Sequence, residues 1–150
     1  MIKKAKIADA KKIQGLILNE AKKGKVLDRS LNYIYENIRN FWIYKDNHKI
    51  IGCCALSVVG WQNLGEIKSL VVKEPFQKKN IGTKLVAKCL EDAKSLGLKK
   101  VFALTFAPKF FMKLEFKKIA MKKLPHKIWK DCMNCVYFPD CKEVAVLYNI

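Results

Sequence analysis

The stretch from Gly65 to Cys89 constrains the fold of this chain more than any other. It reads GEIKSLVVKEPFQKKNIGTKLVAKC, which is a strand-like run, a basic turn and then an amphipathic helix. In this order the N–H groups of the turn, the helix N-terminus and two lysine side chains converge on one point. The sequence therefore predicts a place that holds a phosphate or pyrophosphate group.

Length and composition bound the class of protein. We expect residues 1–150 to form a single domain, because 150 residues are enough for one real core but not for two. Half of the chain is apolar and only 7 Gly and 4 Pro are present, which disfavours a disordered chain. No apolar run approaches the roughly 20 residues of a membrane-spanning helix. Charges stand where a signal peptide has its apolar core, so we expect a cytoplasmic protein without a membrane partner.

The net charge of +17 favours anionic partners through long-range attraction. Nucleic acid, acidic membranes, phosphorylated cofactors and dicarboxylates all fit this charge. All but two of the 30 basic residues are Lys, in a chain that is also rich in Ile and Asn, so a general composition bias accounts for the charge equally well. Charge alone does not choose a partner.

Periodicity and turn residues predict the order β-α-α-β-β-β-α-β-α-β. Asp9 is the predicted cap of the first helix, Tyr35 is assigned to the buried side of the second, and Gly97 is the predicted C-cap of the third. The order predicts an α/β (α+β) fold in which helices cover a mixed sheet. The strands are predicted at residues 2–7, 41–45, 50–59, 66–73, 100–105 and 143–148, and the helices begin at Asp9, Ser30, Ile81 and Pro108.

The basic turn resembles the phosphate-binding motif of the GNAT superfamily of N-acyltransferases. That motif is Gln or Arg, two residues, Gly, one residue, then Gly or Ala; here Asn80 replaces the first Gly, and Asn tolerates a positive φ. A generic strand–turn–helix with solvated lysines would show the same short pattern, but its place between EIKSLVV and VFALT favours the cofactor site. The resemblance implies a GNAT fold with a mostly antiparallel sheet and helices on both faces, and acetyl-CoA as cosubstrate. The implied pyrophosphate-binding residues are Gln77, Lys78, Lys79, Asn80, Ile81, Gly82 and Thr83.

The strand before the turn has its own role in the superfamily. There it carries a bulge whose free backbone groups bind the acetyl carbonyl and the pantetheine arm. Leu70, Val71 and Val72 occupy this position, and their side chains are predicted to belong to the core.

Acyl transfer to an amine needs a base, because only the neutral amine is a nucleophile. Glu66 opens the strand and is the candidate base; the alternative is an exposed Glu at a strand end. Many members of the superfamily protonate the leaving thiolate with a Tyr before a K-L-G-F turn. This chain has Phe111 there, and Glu115 replaces the Gly. Thr105 is therefore the candidate acid, with protonation by solvent equally open.

A closer resemblance covers nearly the whole chain. The segments RSLNYIYENIRNF, IIGCCAL, GEIKSLVV, VFALTFAPKFF and LPHKIWKDCMNCVYFPDCKE are similar to the short, single-domain N-acetylglutamate synthases of bacteria. This resemblance implies acetylation of L-glutamate, the first step of arginine biosynthesis, with no nucleic-acid partner and a homodimer as a compatible assembly. Another small acidic amine is the alternative substrate, and a non-catalytic basic module for nucleic acid or another anion is the alternative class.

The two carboxylates of glutamate need fixed cations. Arg29 and Arg39 are Arg against a strong bias to Lys, and a planar guanidinium binds a carboxylate through two hydrogen bonds. Arg29 matches the Arg of the family's RS segment and is assigned to the substrate, whereas Arg39 is assigned a structural role. Lys68 shares the strand face of Glu66 and is a second candidate. Lys127 and Lys130 are weaker ones.

The six cysteines divide into two groups. Cys53, Cys54 and Cys89 lie in apolar periodic segments and are predicted core residues. The others have the spacing C-x2-C-x5-C, with a histidine upstream, and such a set is able to form a tetrahedral structural zinc site. Buried thiols are the alternative. The candidate zinc ligands are His126, Cys132, Cys135 and Cys141.

Overall fold

A computed structural model describes residues 1–124 and 143–150 of the chain. Seven strands in these ranges form one sheet in the order β1-β2-β3-β4-β5-β7-β6, which confirms the predicted mixed α/β class with helices. Short 3-10 turns lie at Ile7–Asp9, Ile38–Asn40, Glu74–Phe76 and Met121–Lys123. The strands and helices are β1 (Ile2–Lys4), α1 (Ala10–Ala21), α2 (Leu31–Glu36), β2 (Phe41–Asp46), β3 (Lys49–Val59), β4 (Leu64–Val72), α3 (Ile81–Leu96), β5 (Lys100–Thr105), α4 (Pro108–Met112), β6 (Lys117–Ile119) and β7 (Val144–Asn149).

Strand β6 is the element that the sequence analysis missed. Its residues are Lys117, Lys118 and Ile119, which are mostly exposed and show no apolar pattern. They form a strand because they pair antiparallel with β7, Lys117 opposite Leu147 and Ile119 opposite Ala145. A strand that depends on a partner so close to the C-terminus leaves no signal in its own three residues.

The described chain divides into two compact units. Unit 1 consists of Met1–Ser57 and Ile67–Asp92, and unit 2 of Val58–Glu66 and Ala93–Ile150. Each unit has its own apolar core. The prediction that residues 1–150 form one domain stays a prediction.

The core of unit 1 lies between the first two helices and the strands β2, β3 and β4. Ile13 and Ile17 of α1 and Ile34 of α2 are fully buried, as their helical spacing predicts. Phe41 and Ile43 of β2 are also fully buried, while the residues between and after them are half-buried, which is the alternation of a strand. Each such side chain contributes about 1.5–3 kcal/mol by leaving water.

Two predictions for the helices of unit 1 are wrong. The Asp9 side chain does not cap α1: its Oδ2 accepts a hydrogen bond from the backbone N–H of Lys6 at 2.8 Å, because residues 7–9 form a 3-10 turn of their own. Tyr35 is 38% exposed. Helix α2 has only six residues, and Ile34 is the side chain that it buries, so Tyr35 faces outward.

The predicted core cysteines of unit 1 are confirmed. Cys53, Cys54 and Cys89 are fully buried and not in disulfides, and the Sγ atoms of Cys54 and Cys89 are 3.6 Å apart. Burial raises the pKa of Cys53 to about 12, because the thiolate would lose its hydration. The Cys53 thiol is therefore a neutral packing group at physiological pH.

The core of unit 2 is built around Leu64, Phe102, Leu124 and Ala145. Strands β5 and β7 pair antiparallel along their whole length, from Lys100 opposite Asn149 to Thr105 opposite Val144. Aromatic rings extend the core of this unit, since Phe116 packs against Phe111 with centroids 5.1 Å apart and against Tyr148 at 5.2 Å.

The end of α3 in unit 2 follows the prediction. Gly97 adopts φ 85, a left-handed conformation that favours glycine, and its N–H donates to the carbonyl of Lys94 at 3.1 Å. Leu98 then closes the motif by donating to the carbonyl of Ala93 at 3.0 Å. Within residues 1–124 and 143–150, no helix combines the length and the apolar character needed to cross a membrane.

Gly52 lies in β3 at a close approach between three elements of unit 1. A Cβ atom on Gly52 would lie 3.2 Å from the carbonyl oxygen of Val71 in β4. It would also lie 3.1 Å from Cδ1 of Leu85 and 3.4 Å from Cγ2 of Ile81, both at the start of α3. Because this carbonyl belongs to the backbone, it cannot move aside by a change of side-chain rotamer. Glycine at this position therefore sets how closely β4 and the first turn of α3 approach β3.

We expect Gly52→Ala to lower the free energy of unfolding by about 1–3 kcal/mol, the usual cost of overpacking a core. Gly15→Ala is the matched control. Gly15 is an exposed residue of α1, and a Cβ atom added to it would meet nothing within 4 Å, so Ala there should raise stability by about 0.5–1 kcal/mol. Urea denaturation of both variants measures the difference. Equal effects of the two substitutions would refute the close approach at Gly52.

Candidate functional site

The turn between β4 and α3 is closed by the Gln77 side chain. Its Nε2 donates to the carbonyl oxygen of Val72, the last residue of β4, at 2.9 Å. The backbone N–H of Gln77 donates to the carbonyl of Glu74 at 3.2 Å, and Phe76 donates to Lys73 at 2.8 Å. Gln77 thus joins the end of the strand to the turn that follows it.

Two residues of this turn have left-handed backbone conformations. Asn80 has φ 65, the conformation expected of an Asn in place of the first Gly of the motif, and Lys78 has φ 64. A left-handed conformation costs an ordinary L-residue roughly 1–2 kcal/mol, and Asn is among the exceptions. Left-handed residues within a turn produce the concave groups of N–H donors that bind anions.

Helix α3 begins directly at this turn. Its first intrahelical bond runs from the N–H of Lys84 to the carbonyl of Asn80 at 3.0 Å. Helix geometry therefore leaves the N–H groups of Ile81, Gly82 and Thr83 without acceptors inside the helix. Lys78, Lys79 and Asn80 are exposed, so their charges and N–H groups are accessible to an anion. The arrangement has the chemistry of a phosphate site.

Strand β4 contains one residue with a left-handed backbone conformation shortly before the turn. Ser69 has φ 55, whereas a regular strand residue has a negative φ. Its carbonyl oxygen accepts a bond from the Cys53 Sγ at 3.3 Å. Left-handed residues within strands are typical of bulges, and Ser69 directly precedes Leu70, where the sequence analysis expects backbone groups rather than side chains to act. The Val71 side chain belongs to the core of unit 1, as predicted, whereas Leu70 and Val72 are only half-buried, so the prediction of core side chains is wrong for these two.

An ion pair ties the segment after α1 to the residue that precedes Pro75. Lys23 Nζ lies 2.9 Å from the Glu74 carboxylate and 3.3 Å from that of Glu20, which is buried. Hydrogen bonds to Glu74 and then to Glu20 raise the pKa of Lys23, and the bond from Lys23 lowers the pKa of Glu74. The sequence analysis did not identify this pair, since nothing local relates residues 51 positions apart.

Arg29 and Lys68, the two predicted carboxylate-binding residues in the described part of the chain, meet on one aromatic ring. The Arg29 guanidinium carbon lies 4.6 Å from the centroid of the Tyr33 ring, and Lys68 Nζ lies 5.9 Å from it. All three side chains are half-buried. Sequence reasoning missed Tyr33, although its spacing of four residues from Arg29 was a signal that could have found it. We call this set the Tyr33 cation cluster.

Glu66 and Thr105 belong to unit 2. Glu66 is the third residue of β4 and is only 8% exposed, so the alternative of an exposed Glu at a strand end is wrong. Thr105 is the last residue of β5, and its Oγ1 accepts a bond from the Ala107 N–H at 2.9 Å. That bond fixes the hydroxyl oxygen while leaving its proton available to donate. Phe111 is buried against Phe116, without a hydroxyl to offer.

Several predicted residues lie outside the described residues. They include both weaker lysine candidates and all four candidate zinc ligands: His126, Lys127, Lys130, Cys132, Cys135 and Cys141. In the ranges that the structure describes, no group of three or more His, Cys, Asp or Glu side chains is arranged to hold a metal ion.

Comparison with known proteins identifies the class of the chain. Residues 14–116 match the Acetyltransferase (GNAT) family. The protein named uncharacterized N-acetyltransferase CT2212 of Chlorobaculum tepidum is 37% identical over 99% of this chain and 96% of its own length. The amino-acid acetyltransferase of Mycobacterium tuberculosis is 34% identical over 79% of this chain and 69% of its own.

Solved structures agree with this assignment. N-acetylglutamate synthase from Neisseria gonorrhoeae, complexed with coenzyme A and N-acetyl-glutamate, superposes with a TM-score of 0.90 at 25% identity. The match covers 99% of this chain but 34% of that one, so this chain spans about a third of that protein. A Mycobacterium tuberculosis protein in complex with CoA superposes with a TM-score of 0.84 at 26% identity, over 100% of this chain and 99% of that one.

The chain thus combines an α/β fold and a phosphate-type turn with a match to the acetyltransferase family over most of its length. The chain belongs to the GNAT family of acetyltransferases. The predicted resemblance to GNAT proteins, and to N-acetylglutamate synthases among them, is confirmed.

We expect Glu74→Gln to lower thermal stability slightly near neutral pH, because it removes the ion pair with Lys23. Glu74 has a lowered pKa in the folded chain, so its contribution exists above its unfolded pKa and is lost as the pH falls through the folded value. Lys23 has a raised pKa, so its contribution is present below its unfolded pKa and is lost as the pH rises through the folded value. The variant and the parent should therefore differ from about pH 5 to about pH 10 and converge at more acidic and more alkaline pH, because Glu and Lys ordinarily titrate near about 4.3 and 10.4.

Thermal unfolding followed over this pH range measures the effect, with Lys22→Gln as the matched control for removal of an exposed charge. A difference between Glu74→Gln and the parent that persisted unchanged at about pH 3, below the ordinary pKa of Glu, would contradict the ion pair as its cause.

Proposed function

We propose that this acetyltransferase transfers the acetyl group of acetyl-CoA to the amino group of L-glutamate, as a cytoplasmic enzyme of arginine biosynthesis. The Tyr33 cation cluster is the observation that supports an acidic amino acid as the substrate, since two fixed cations suit a substrate with two carboxylates. The names of the relatives support an amino acid as acceptor. In unit 1, Arg29 and Lys68 bind the substrate carboxylates; Lys127 and Lys130 stay predictions.

The turn from Gln77 to Thr83 is the proposed site of the cofactor pyrophosphate. Its support is the pair of left-handed residues, the three helix N–H groups and the exposed lysines. The backbone of Leu70, Val71 and Val72, which follow the left-handed Ser69, is proposed to bind the acetyl carbonyl and the pantetheine arm. Both structural neighbours described above bind coenzyme A, which supports the same cosubstrate here.

The proposed chemistry is direct attack of the amine on the thioester. Glu66 takes a proton from the substrate ammonium, directly or through water, and its buried position suits a carboxylate kept for such a task. The amine nitrogen then bonds to the acetyl carbon, the carbon–sulfur bond breaks, and the nitrogen releases its surplus proton to solvent. The leaving thiolate takes a proton from the Thr105 hydroxyl, which regains one from solvent, or takes it from solvent directly, giving free coenzyme A and N-acetylglutamate.

We expect Asn80→Val to weaken coenzyme A binding by on the order of tenfold or more, because a β-branched residue is a true outlier at positive φ and would open the turn. Asn80→Gly is the matched control and should bind coenzyme A as tightly as the parent, since glycine adopts this conformation freely. Isothermal titration calorimetry with coenzyme A compares them. Equal affinities of the Val variant and the parent would remove the turn from the cofactor site.

We expect glutamate-dependent release of free thiol from acetyl-CoA, and a loss of kcat on the order of 10²–10⁴ in Glu66→Gln with little change in coenzyme A affinity. Glu115→Gln, which alters an exposed carboxylate, is the control for a change of charge. Aspartate, glutamine and other small acidic amines are assayed in parallel.

Each outcome of that assay decides between the proposals. Faster release of thiol with another acidic amine would identify that amine, and not glutamate, as the substrate, and would leave the enzyme class unchanged. Absence of release with every amine, together with tight and strongly salt-dependent binding of nucleic acid, would favour the non-catalytic anion-binding module.

A further inference from the structure

The Tyr33 cation cluster also indicates how its two cations are positioned. Arg29 precedes α2 and Lys68 lies in β4, so two separate segments of unit 1 deliver a positive charge to one ring. We infer that Tyr33 is a positioning residue: its aromatic face holds Arg29 and Lys68 in the arrangement that receives a substrate carboxylate, and thereby selects acidic over neutral amino acids. This inference rests on the proposed function.

The backbone of Tyr33 is fixed at both ends. Its N–H donates to the Ser30 hydroxyl oxygen at 3.0 Å, which caps α2. Its carbonyl accepts from the backbone N–H of Asn37 at 3.0 Å and from the Asn37 side-chain amide at 2.9 Å. The side chain also packs against the buried core of unit 1. A tyrosine has only two side-chain torsions, so a ring held in this way is a rigid platform.

The negative face of an aromatic ring attracts a cation at distances up to about 6 Å. Both cations of the cluster lie within that distance of the Tyr33 centroid. A carboxylate that binds them supplies the opposite charge, whereas a neutral side chain does not. The ring therefore stabilises the arrangement of the two cations, and the cations attract an anionic group of the substrate.

The ring of Tyr33, and not its hydroxyl, is the group to which this effect is assigned. Tyr33→Leu removes the aromatic face, whereas Tyr33→Phe keeps it, so Phe is the conservative replacement that should rescue the loss. Tyr35→Leu is a matched control, because Tyr35 lies in the same helix, two residues away, and is exposed. If Tyr33→Leu unfolds, Tyr33→Met takes its place, since the flexible thioether fills a similar space without a ring face.

Steady-state kinetics with glutamate and acetyl-CoA test the inference. Tyr33→Leu should raise the KM for glutamate on the order of fivefold to thirtyfold, as expected for the loss of two cation–aromatic contacts. The KM for acetyl-CoA should change by less than about twofold, and Tyr33→Phe should recover most of the affinity for glutamate. A merely structural role would lower kcat and both affinities together.

A double-mutant cycle with Arg29→Met gives the second readout. If Tyr33 positions both cations, then Tyr33→Leu causes a smaller loss of glutamate affinity in the Arg29→Met background than in the parent, because only the part that acts through Lys68 remains. Fully additive losses would overturn the inference.

The inference and the proposed function fail in different ways. A parent enzyme that acetylates glutamate, with a Tyr33→Leu variant of unchanged KM, overturns the role of Tyr33 and leaves the function standing. A parent that binds coenzyme A but neither binds glutamate by calorimetry nor acetylates it overturns both.

Discussion

The hydrogen bond from the Gln77 side chain to the carbonyl of Val72 is the interaction on which the rest of unit 1's candidate site depends. It fixes where β4 stops and where the left-handed turn begins. This turn places Asn80 at the start of α3, where its carbonyl accepts the first hydrogen bond of the helix. Without a fixed start of α3, the free N–H groups of its first turn would not converge, and the helix would present no anion site. Gly52 extends the same constraint inward, because its missing side chain lets Val71 and the start of α3 approach β3 closely.

The parts of the fold that follow from local rules were predictable from the sequence. The long helix α3 shows its period plainly, Gly97 ends it, and Asn80 adopts the positive φ that its residue type allows. The errors lie where distant parts of the chain decide the outcome. Strand β6 exists only because β7 pairs with it. Asp9 bonds to Lys6 because a 3-10 turn intervenes before α1, and a capping pattern does not reveal that turn.

The candidate site divides in the same way. The residues of the basic turn form one contiguous segment, and their conformation could be anticipated from that segment alone. Burial of Glu66 depends on the packing around β4, so the sequence left open whether this carboxylate is exposed. The contact of Tyr33 with Lys68 joins two distant positions of the chain, and no local pattern relates them. Sequence reasoning identified the charges but not the ring that holds them.

Contacts fix some of the many cations of this chain, while others lie in solvent. Aromatic rings of unit 1 do this at several places: Lys4 and Lys88 lie 4.8 and 5.6 Å from the Trp42 ring, and Lys79 lies 5.7 Å from that of Phe76. The Lys23–Glu74 ion pair adds a different constraint, since it ties the segment that leads from α1 to Arg29 to the segment that leads into the phosphate-type turn. An exposed ion pair is weak, so it biases the position of that segment without locking it.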